Sequence, residues 1–120
     1  MVGTIADYLI RTIGVILITT GPLWFINPVR SVLTFGLPRT NSDMSTFGPS
    51  LGGRNIAVGF IFLLSSLYST RQLTGIMVFL YATGAGWSDT MICLAHGQGH
   101  RIHVFNILVC YLVAGCLVWS

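Results

Sequence analysis

The sequence contains no lysine and no glutamate, and only 8% of its residues are charged, whereas a soluble domain has about a quarter. All six cations are arginines, too few and too scattered for the clustered basic face that nucleic acid requires. With 53% hydrophobic residues and a mean hydropathy of +0.80, the surface cannot face water everywhere. We therefore expect a single-domain (1–120), integral, multi-pass membrane protein with lipid as a partner and no nucleic acid.

Cysteine is also scarce, and its count is odd. Cys93, Cys110 and Cys116 all lie in apolar stretches. A disulfide needs matched geometry and an oxidising compartment, and the sequence indicates neither. We interpret the three cysteines as small buried hydrophobic residues.

Four apolar stretches, over about 8–26, 51–69, 72–95 and 102–119, predict an all-α bundle of four antiparallel transmembrane helices. The first stretch has no basic leading segment and ends in PLWF (22–25), so we interpret it as a retained span and not as a signal peptide. Asp7 and Arg11, at i and i+4, are expected to pair at its start. Residues 27–50 hold three of the four prolines and a polar tract, and we interpret them as a long loop or lid over one mouth of the bundle.

Alternating helix directions would gather most of the polar residues on one side. The ends of spans one and three and the starts of spans two and four share that side with the 27–50 loop. It receives Arg54, Asp89, His96, His100, Arg101, His103 and Asn106. The opposite side keeps only Asp7, Arg11 and Arg71 among the charged groups. We therefore predict a polar pocket at one mouth of the bundle.

Asp89 is one of three acids in the chain, and it is the one flanked by apolar, membrane-type sequence. An ionisable group in that setting is costly and needs a partner. Arg54, at the start of the adjacent span, has the planar fork that suits a carboxylate. Two interpretations stay open: an ion pair that only pins two helices, or a carboxylate that works as a general base or acid while Arg54 orients it.

The start of the second span could form an anion-binding site. Gly53 precedes Arg54 there, and a glycine at a helix N-terminus lets an anion approach unpaired backbone N–H groups. A flexible helix start without a ligand is the alternative.

The histidines lie at i, i+4 and i+7, which is a metal-like spacing. However, Gly97 and Gly99 break the helix that would place His96, His100 and His103 on one face, so we predict no metal site and no cofactor. His103, or else His96, is expected to exchange protons with the substrate. Capping of a helix end or contact with lipid headgroups is the alternative.

The remaining candidates are expected to bind substrate and not to react with it. Tyr81 and Trp87 could line a pocket for an apolar molecule, with ordinary helix packing as the alternative. The predicted substrate-binding set is Asn55, Tyr81, Ser88, Trp87, Asn106 and Gly53.

Short motifs from about Leu51 to the C-terminus, and the first span more loosely, carry a resemblance. With GGRNIAVG (52–59), Asp89, HG (96–97) and IH (102–103), the chain resembles a small four-helix integral membrane family described as a domain of unknown function. The resemblance implies relatives in bacteria and in fungi, where some lie among secondary-metabolite genes. In the family an acid often follows the arginine, where this chain has Asn55, which leaves Asp89 as the principal acid–base group.

These features together predict a membrane-embedded biosynthetic enzyme. Its substrate would be a lipophilic small molecule such as a polyketide or terpenoid, opened at an epoxide by water or by an internal hydroxyl. Asp89 would activate the nucleophile, His103 or His96 would protonate the oxygen, and Arg54 would hold the carboxylate. The alternatives are an isomerase or cyclase with the same residues, a small proton-coupled transporter working as a homo-oligomer, and an accessory membrane subunit. In a eukaryote we expect the endoplasmic reticulum.

Overall fold

The structure is a computed structural model that describes residues 1–38 and 42–120, with the backbone alone for residues 42–47. Over these residues the chain forms helices and turns and no β-strand, which confirms the predicted all-α class. The elements in chain order are α1 (Val2–Thr20), α2 (Leu23–Ile26), α3 (Pro28–Phe35), α4 (Ser42–Tyr68), α5 (Arg71–Tyr81), a π-helical turn (Ala82–Gly86), α6 (Trp87–Ala95) and α7 (His100–Val118).

Among the described residues, three helical stretches are long and apolar enough to cross a membrane: Val2–Ile26, Gly48–Tyr68 and His100–Val118. The shortest has 19 residues, or about 28 Å, close to the hydrocarbon thickness of about 30 Å. Large apolar side chains on the outside of the bundle are left uncovered by protein, and Leu112, for example, is 71% exposed. Helix length and uncovered apolar surface together indicate a membrane protein.

The stretch predicted as the third span, 72–95, is helical throughout but is built from three pieces in direct succession. Thr70 caps α5, because its hydroxyl oxygen accepts a hydrogen bond from the backbone N–H of Leu73 at 3.2 Å. The π-helical turn then adds one residue to a single turn of the rod before α6 begins. This extra residue sets the direction in which the α6 side chains point.

Contacts at the two ends of the bundle show that the helices alternate in direction. At one end, Asp7 in α1 forms an ion pair with Arg71 in α5, with 2.9 Å between Oδ2 and Nη2. At the other end, Gly36 after α3 packs on Gly99 before α7, where an added Cβ on Gly36 would lie 2.8 Å from the Gly99 Cα. Both glycines have positive φ, at 103° and 79°, which other residues rarely adopt.

The predicted pairing of Asp7 with Arg11 within α1 is wrong. Arg11 instead crosses to α4, where it donates from Nε to Ser66 Oγ at 3.2 Å and from Nη2 to the Ser66 carbonyl at 3.1 Å. Asp7 and Arg11 therefore connect α1 to two other helices. Each forms its hydrogen bonds with a residue of a neighbouring helix, α5 for Asp7 and α4 for Arg11, and not with the other.

The prediction of a long loop over 27–50 is also wrong for most of these residues, because α3 and the start of α4 lie there. Asn27 caps α3 by accepting from the Arg30 backbone N–H at 3.1 Å, and Pro28 occupies the first helical position, where no N–H is needed. α4 begins at Ser42 and not near residue 51, and it continues through Pro49. α3 buries Ser31, Val32 and Phe35. The predicted polar tract falls mostly outside the described residues, which omit 39–41 and the side chains of 42–47.

Glycines bring the backbones of α1 and α4 together. An added Cβ on Gly59 would lie 2.6 Å from the Gly14 carbonyl oxygen and 3.0 Å from the Ile18 backbone nitrogen. Both atoms belong to the backbone of α1, so they cannot move aside as a flexible side chain could. Glycines at such crossings let helices approach closely in lipid.

We expect Gly59→Ala to lower the free energy of unfolding by about 1–3 kcal/mol, because the methyl group would push α1 away from α4. Reversible unfolding in detergent, followed by circular dichroism, would measure the loss. Gly115→Ala is the matched control, since an added Cβ there meets nothing within 4 Å. It should leave stability unchanged or raise it by up to about 1 kcal/mol through helix propensity. Equal losses in the two variants would contradict the close crossing.

Candidate functional site

A cavity of about 250 Å³ opens at the end of the bundle where α3 lies. Its wall includes six of the residues predicted from the sequence: Arg54, Asn55, Tyr81, Asp89, His103 and Asn106. Apolar side chains, among them Leu17, Trp24 and Leu51, and further polar residues of α1 and α3 complete the wall. A mainly apolar cavity with a few convergent polar groups is the usual form of a small-molecule site.

The Asp89 carboxylate and the Arg54 guanidinium form a two-point ion pair in this wall. Nη1 donates to Oδ1 and Nη2 donates to Oδ2, each at 2.9 Å. The Asp89 side chain is 9% exposed and the Arg54 side chain 27% exposed. Parallel N–H···O bonds of this kind fix the plane of the carboxylate as well as its distance.

Asn55 adds a second contact to the same guanidinium. Its Oδ1 accepts from Arg54 Nη2 at 3.2 Å and from Nε at 3.4 Å. The amide oxygen is thereby occupied, and the two protons on Nδ2 remain for other partners. Asn55 therefore orients the arginine and still has donors to offer a ligand.

The π-helical turn is what places Tyr81 and Asp89 on the same side of their rod. They are eight positions apart, so in an uninterrupted α-helix, at about 100° per residue, they would point about 80° apart. The turn absorbs one residue and reduces this difference to about 20°. Both residues accordingly line the cavity.

His103 reaches across from α7 to α3. Its Nε2 lies 2.7 Å from the Phe35 carbonyl oxygen, and the two rings pack with 4.5 Å between their centroids. A carbonyl oxygen can only accept, so Nε2 carries a proton and donates it. Nδ1 is then the nitrogen that is left to take up or release a proton.

A second, smaller cavity lies behind the ion pair. It has a volume of about 60 Å³ and shares Tyr81, Asp89, His103 and Asn106 with the first. One water molecule needs about 10–15 Å³ of such space and two to four polar partners. The smaller cavity therefore has both the room and the polar groups to hold water beside Asp89.

Four of the predicted site residues do not line either cavity. Gly53 lies inside α4, eleven residues after its start, so the expected helix N-terminus and its unpaired N–H groups do not exist there. Ser88 donates to the Gly84 carbonyl at 2.8 Å, and Trp87 Nε1 donates to the Tyr111 hydroxyl at 3.2 Å. These two side chains diverge from Asp89 because each step along a helix turns the side chain by about 100°, so that Ser88 points about 100° and Trp87 about 160° away from Asp89.

His96 is the fourth of these residues. It lies exposed at the C-terminal end of α6, with its Nδ1 2.8 Å from the Ile92 carbonyl oxygen. His96 therefore lies at a helix end, which is the alternative that the sequence left open for the histidines, whereas His103 lies in the cavity wall. The placement of the two histidines on opposite sides of the Gly97–Gly99 turn explains why they do not converge.

Sequence reasoning missed the contribution of α3. Arg30, Ser31 and Thr34 line the main cavity, and the Phe35 carbonyl holds His103. A helix here had a visible signal, because Asn27–Pro28 is a capping pair and Gly36 is a typical helix end. The prolines and polar residues nearby led to the prediction of a loop instead.

Fold and site together define an all-helical, membrane-type bundle with a partly buried Arg–Asp pair in the wall of a cavity. The chain belongs to the family described as domain of unknown function DUF4267, whose profile matches residues 14–119. This match confirms the suspected membership of such a family. No curated protein and no solved structure matches the chain.

Proposed function

We propose that the protein is a membrane-embedded enzyme that opens the epoxide of a small lipophilic molecule by acid–base chemistry, without a cofactor. The observation that carries the proposal is the two-point ion pair of Arg54 and Asp89 in a largely apolar cavity beside His103. An ion pair that only held two helices together would not need a carboxylate that faces a cavity, nor a histidine in the wall of the same cavity.

The reaction needs a base and an acid. Asp89 accepts a proton from water, and the resulting oxygen attacks one epoxide carbon. The carbon–oxygen bond of the ring breaks, and the released oxygen takes the proton from Nδ1 of protonated His103. The product is a diol, and proton exchange with solvent restores both groups. If a hydroxyl of the substrate replaces water, the same steps give a cyclic ether.

Arg54 acts on Asp89 and not on the substrate in this scheme. It fixes the plane of the carboxylate, so that the free lone pairs face one direction. The smaller cavity beside Asp89 supplies a position for the attacking water. Tyr81 lies in the wall of both cavities, and in this scheme its hydroxyl donates a hydrogen bond to the substrate oxygen.

The volume of the main cavity restricts the substrate. Ligand pockets usually measure about 300–1,000 Å³, and this cavity measures about 250 Å³. A compact terpenoid-sized molecule, or the reactive end of a longer chain, fits that space better than a large polyketide.

In the membrane, we propose four crossings with both termini on one side. Three crossings are the long apolar helices. The remaining one, third in chain order, is the continuous helical rod formed by α5, the π-helical turn and α6. The site then lies at one mouth, where a lipophilic substrate can enter from the bilayer. In a eukaryotic cell, the endoplasmic reticulum is the expected location.

Transport is the second candidate function, and the geometry is less favourable to it. A carrier needs access to its ionisable group from both sides of the membrane. The described polar groups around Asp89 lie at one end of the bundle, whereas Asp7, Arg11 and Arg71 lie at the other and line neither of the two cavities at Asp89.

To test the proposal, we would incubate the purified protein with a panel of small lipophilic epoxides in isotopically labelled water and identify the products by mass spectrometry. A diol that carries the label would establish hydrolysis, and an unlabelled cyclic ether would establish internal opening. Absence of any conversion, together with proton-coupled uptake into liposomes, would overturn the proposal in favour of a carrier.

His103→Gln should lower kcat/KM for epoxide opening by about 10²-fold or more, because glutamine can still donate to the Phe35 carbonyl but cannot supply a proton. His96→Gln is the matched control and should change kcat/KM by less than twofold. Rates with purified protein would measure both. If the two variants retained the same activity, His103 would not be the acid.

A further inference from the structure

Arg30 is a cation in the wall of the main cavity that no described residue neutralises. Among the described arginines, Arg11, Arg54 and Arg71 each bind a partner side chain. Arg30 makes no side-chain hydrogen bond or ion pair with another described residue, although it lines the cavity. It is exposed, so its guanidinium lies at the mouth of the cavity and not in its interior.

The charges of the site do not cancel. Arg54 and Asp89 form a neutral pair, and Asp7 is held by Arg71 at the opposite end of the bundle. These are the two acids whose side chains the structure describes. The described part of the cavity therefore carries one uncompensated positive charge, at Arg30.

Uncharged polar groups that line the same cavity as Arg30 also have hydrogen-bond donors to offer a ligand. Ser31 is 7% exposed and lines the cavity, yet its hydroxyl makes no hydrogen bond with another described residue. Asn55 has its amide oxygen occupied by Arg54 and keeps the Nδ2 protons. Arg30, Ser31 and Asn55 thus each have a hydrogen-bond donor that a ligand in this cavity could use.

We infer that the ligand of this cavity is an anionic amphiphile, whose carboxylate binds Arg30 at the mouth while its apolar part enters the cavity towards Asp89. This inference rests on the proposed function for its reaction, and it names the substrate class. A guanidinium binds a carboxylate at two points, and Ser31 adds a hydroxyl donor on the same helix. Binding at Arg30 would place the reactive carbon a fixed distance from the head of the molecule.

Binding can be tested without any turnover, because Trp24 lies in the cavity wall and reports on occupancy by its fluorescence. We would titrate the purified protein in nanodiscs of zwitterionic lipid with octanoate and with octanol. Octanoate should bind at least tenfold more tightly than octanol. Trp24→Phe should abolish most of the signal, since neither of the other two tryptophans lines this cavity.

The variants decide whether Arg30 is responsible. Arg30→Gln should remove the tenfold preference for octanoate, and Arg30→Lys should keep most of it. Arg101→Gln is the matched control: Arg101 lies exposed at the same end of the bundle, does not line the cavity, and likewise binds no described side chain. It should leave the preference unchanged.

Two results would overturn the inference. The first is equal affinity for octanol and octanoate in the native sequence. The second is an equal loss in Arg30→Gln and Arg101→Gln, which would mean that surface charge or lipid headgroups attract the anion. Arg30-dependent binding without epoxide conversion would keep this inference and reject the reaction, and conversion without such binding would do the reverse.

Discussion

Arg54→Ala is expected to lower the free energy of unfolding by about 3 kcal/mol, the lower end of the range for breaking a buried ion pair. The reason is the carboxylate left behind. The Asp89 side chain is 9% exposed, and it would lose both of its 2.9 Å hydrogen bonds together with the positive charge that faces it. Reversible unfolding in detergent at neutral pH would measure the loss.

A double variant separates the charge from the packing. Arg54→Met combined with Asp89→Leu removes both charges and fills similar volume, so most of the lost stability should return while activity stays absent. Arg71→Ala is the control for a more exposed pair, because the Arg71 side chain is 43% exposed and that of Asp7 15% exposed. It should cost about 0–1 kcal/mol. A double variant as unstable as Arg54→Ala would mean that the cost was not an unpaired charge.

Inserting one alanine after Gly84 is expected to lower kcat/KM by more than about 10²-fold. The π-helical turn already holds one extra residue. A second would rotate Asp89 by about 100° relative to α5 and take it away from Arg54. Loss of the ion pair would also lower the unfolding temperature, which differential scanning calorimetry in detergent would detect.

Deletion of Gly84 should have the opposite outcome, and this asymmetry is the sharper test. Without that residue the turn can close into an ordinary α-helix, which leaves Tyr81 and Asp89 seven positions and about 20° apart. Activity should stay within a few-fold of the native sequence. Gly84→Ala is the control for side-chain size, since an added Cβ there meets nothing within 4 Å. A deletion as damaging as the insertion would contradict the role given to the π-helical turn.

The meeting of Arg54 and Asp89 followed from the sequence because the membrane leaves few alternatives. Three acids in an apolar chain, and helices that alternate in direction, restrict which charges can reach each other. His103 and Asn106 could be placed at the same mouth by the same reasoning. Their roles in a reaction stay predictions.

Other features could not be obtained in this way. Gly84 and Gly86 lie in the stretch predicted as the third span, and nothing in the sequence separates a π-helical turn from an α-helix that contains the same glycines. The burial of α3 depends on contacts with residues distant in sequence, such as Phe35 with His103. Trp87 and Ser88 were selected because they are polar or aromatic neighbours of Asp89, but position along a helix decides direction, and theirs is away from the cavity.

The most direct measurement of the central claim compares two carboxylates of the same chain. Asp89→Asn and Asp7→Asn make the same chemical change in an acid that is held by an arginine, one in the cavity wall and one at the opposite end of the bundle. For epoxide opening by the purified protein, we expect kcat/KM to fall by about 10²–10⁴-fold in Asp89→Asn and by less than twofold in Asp7→Asn. Activity of Asp89→Asn equal to that of the native sequence would contradict the assignment of Asp89 as the base.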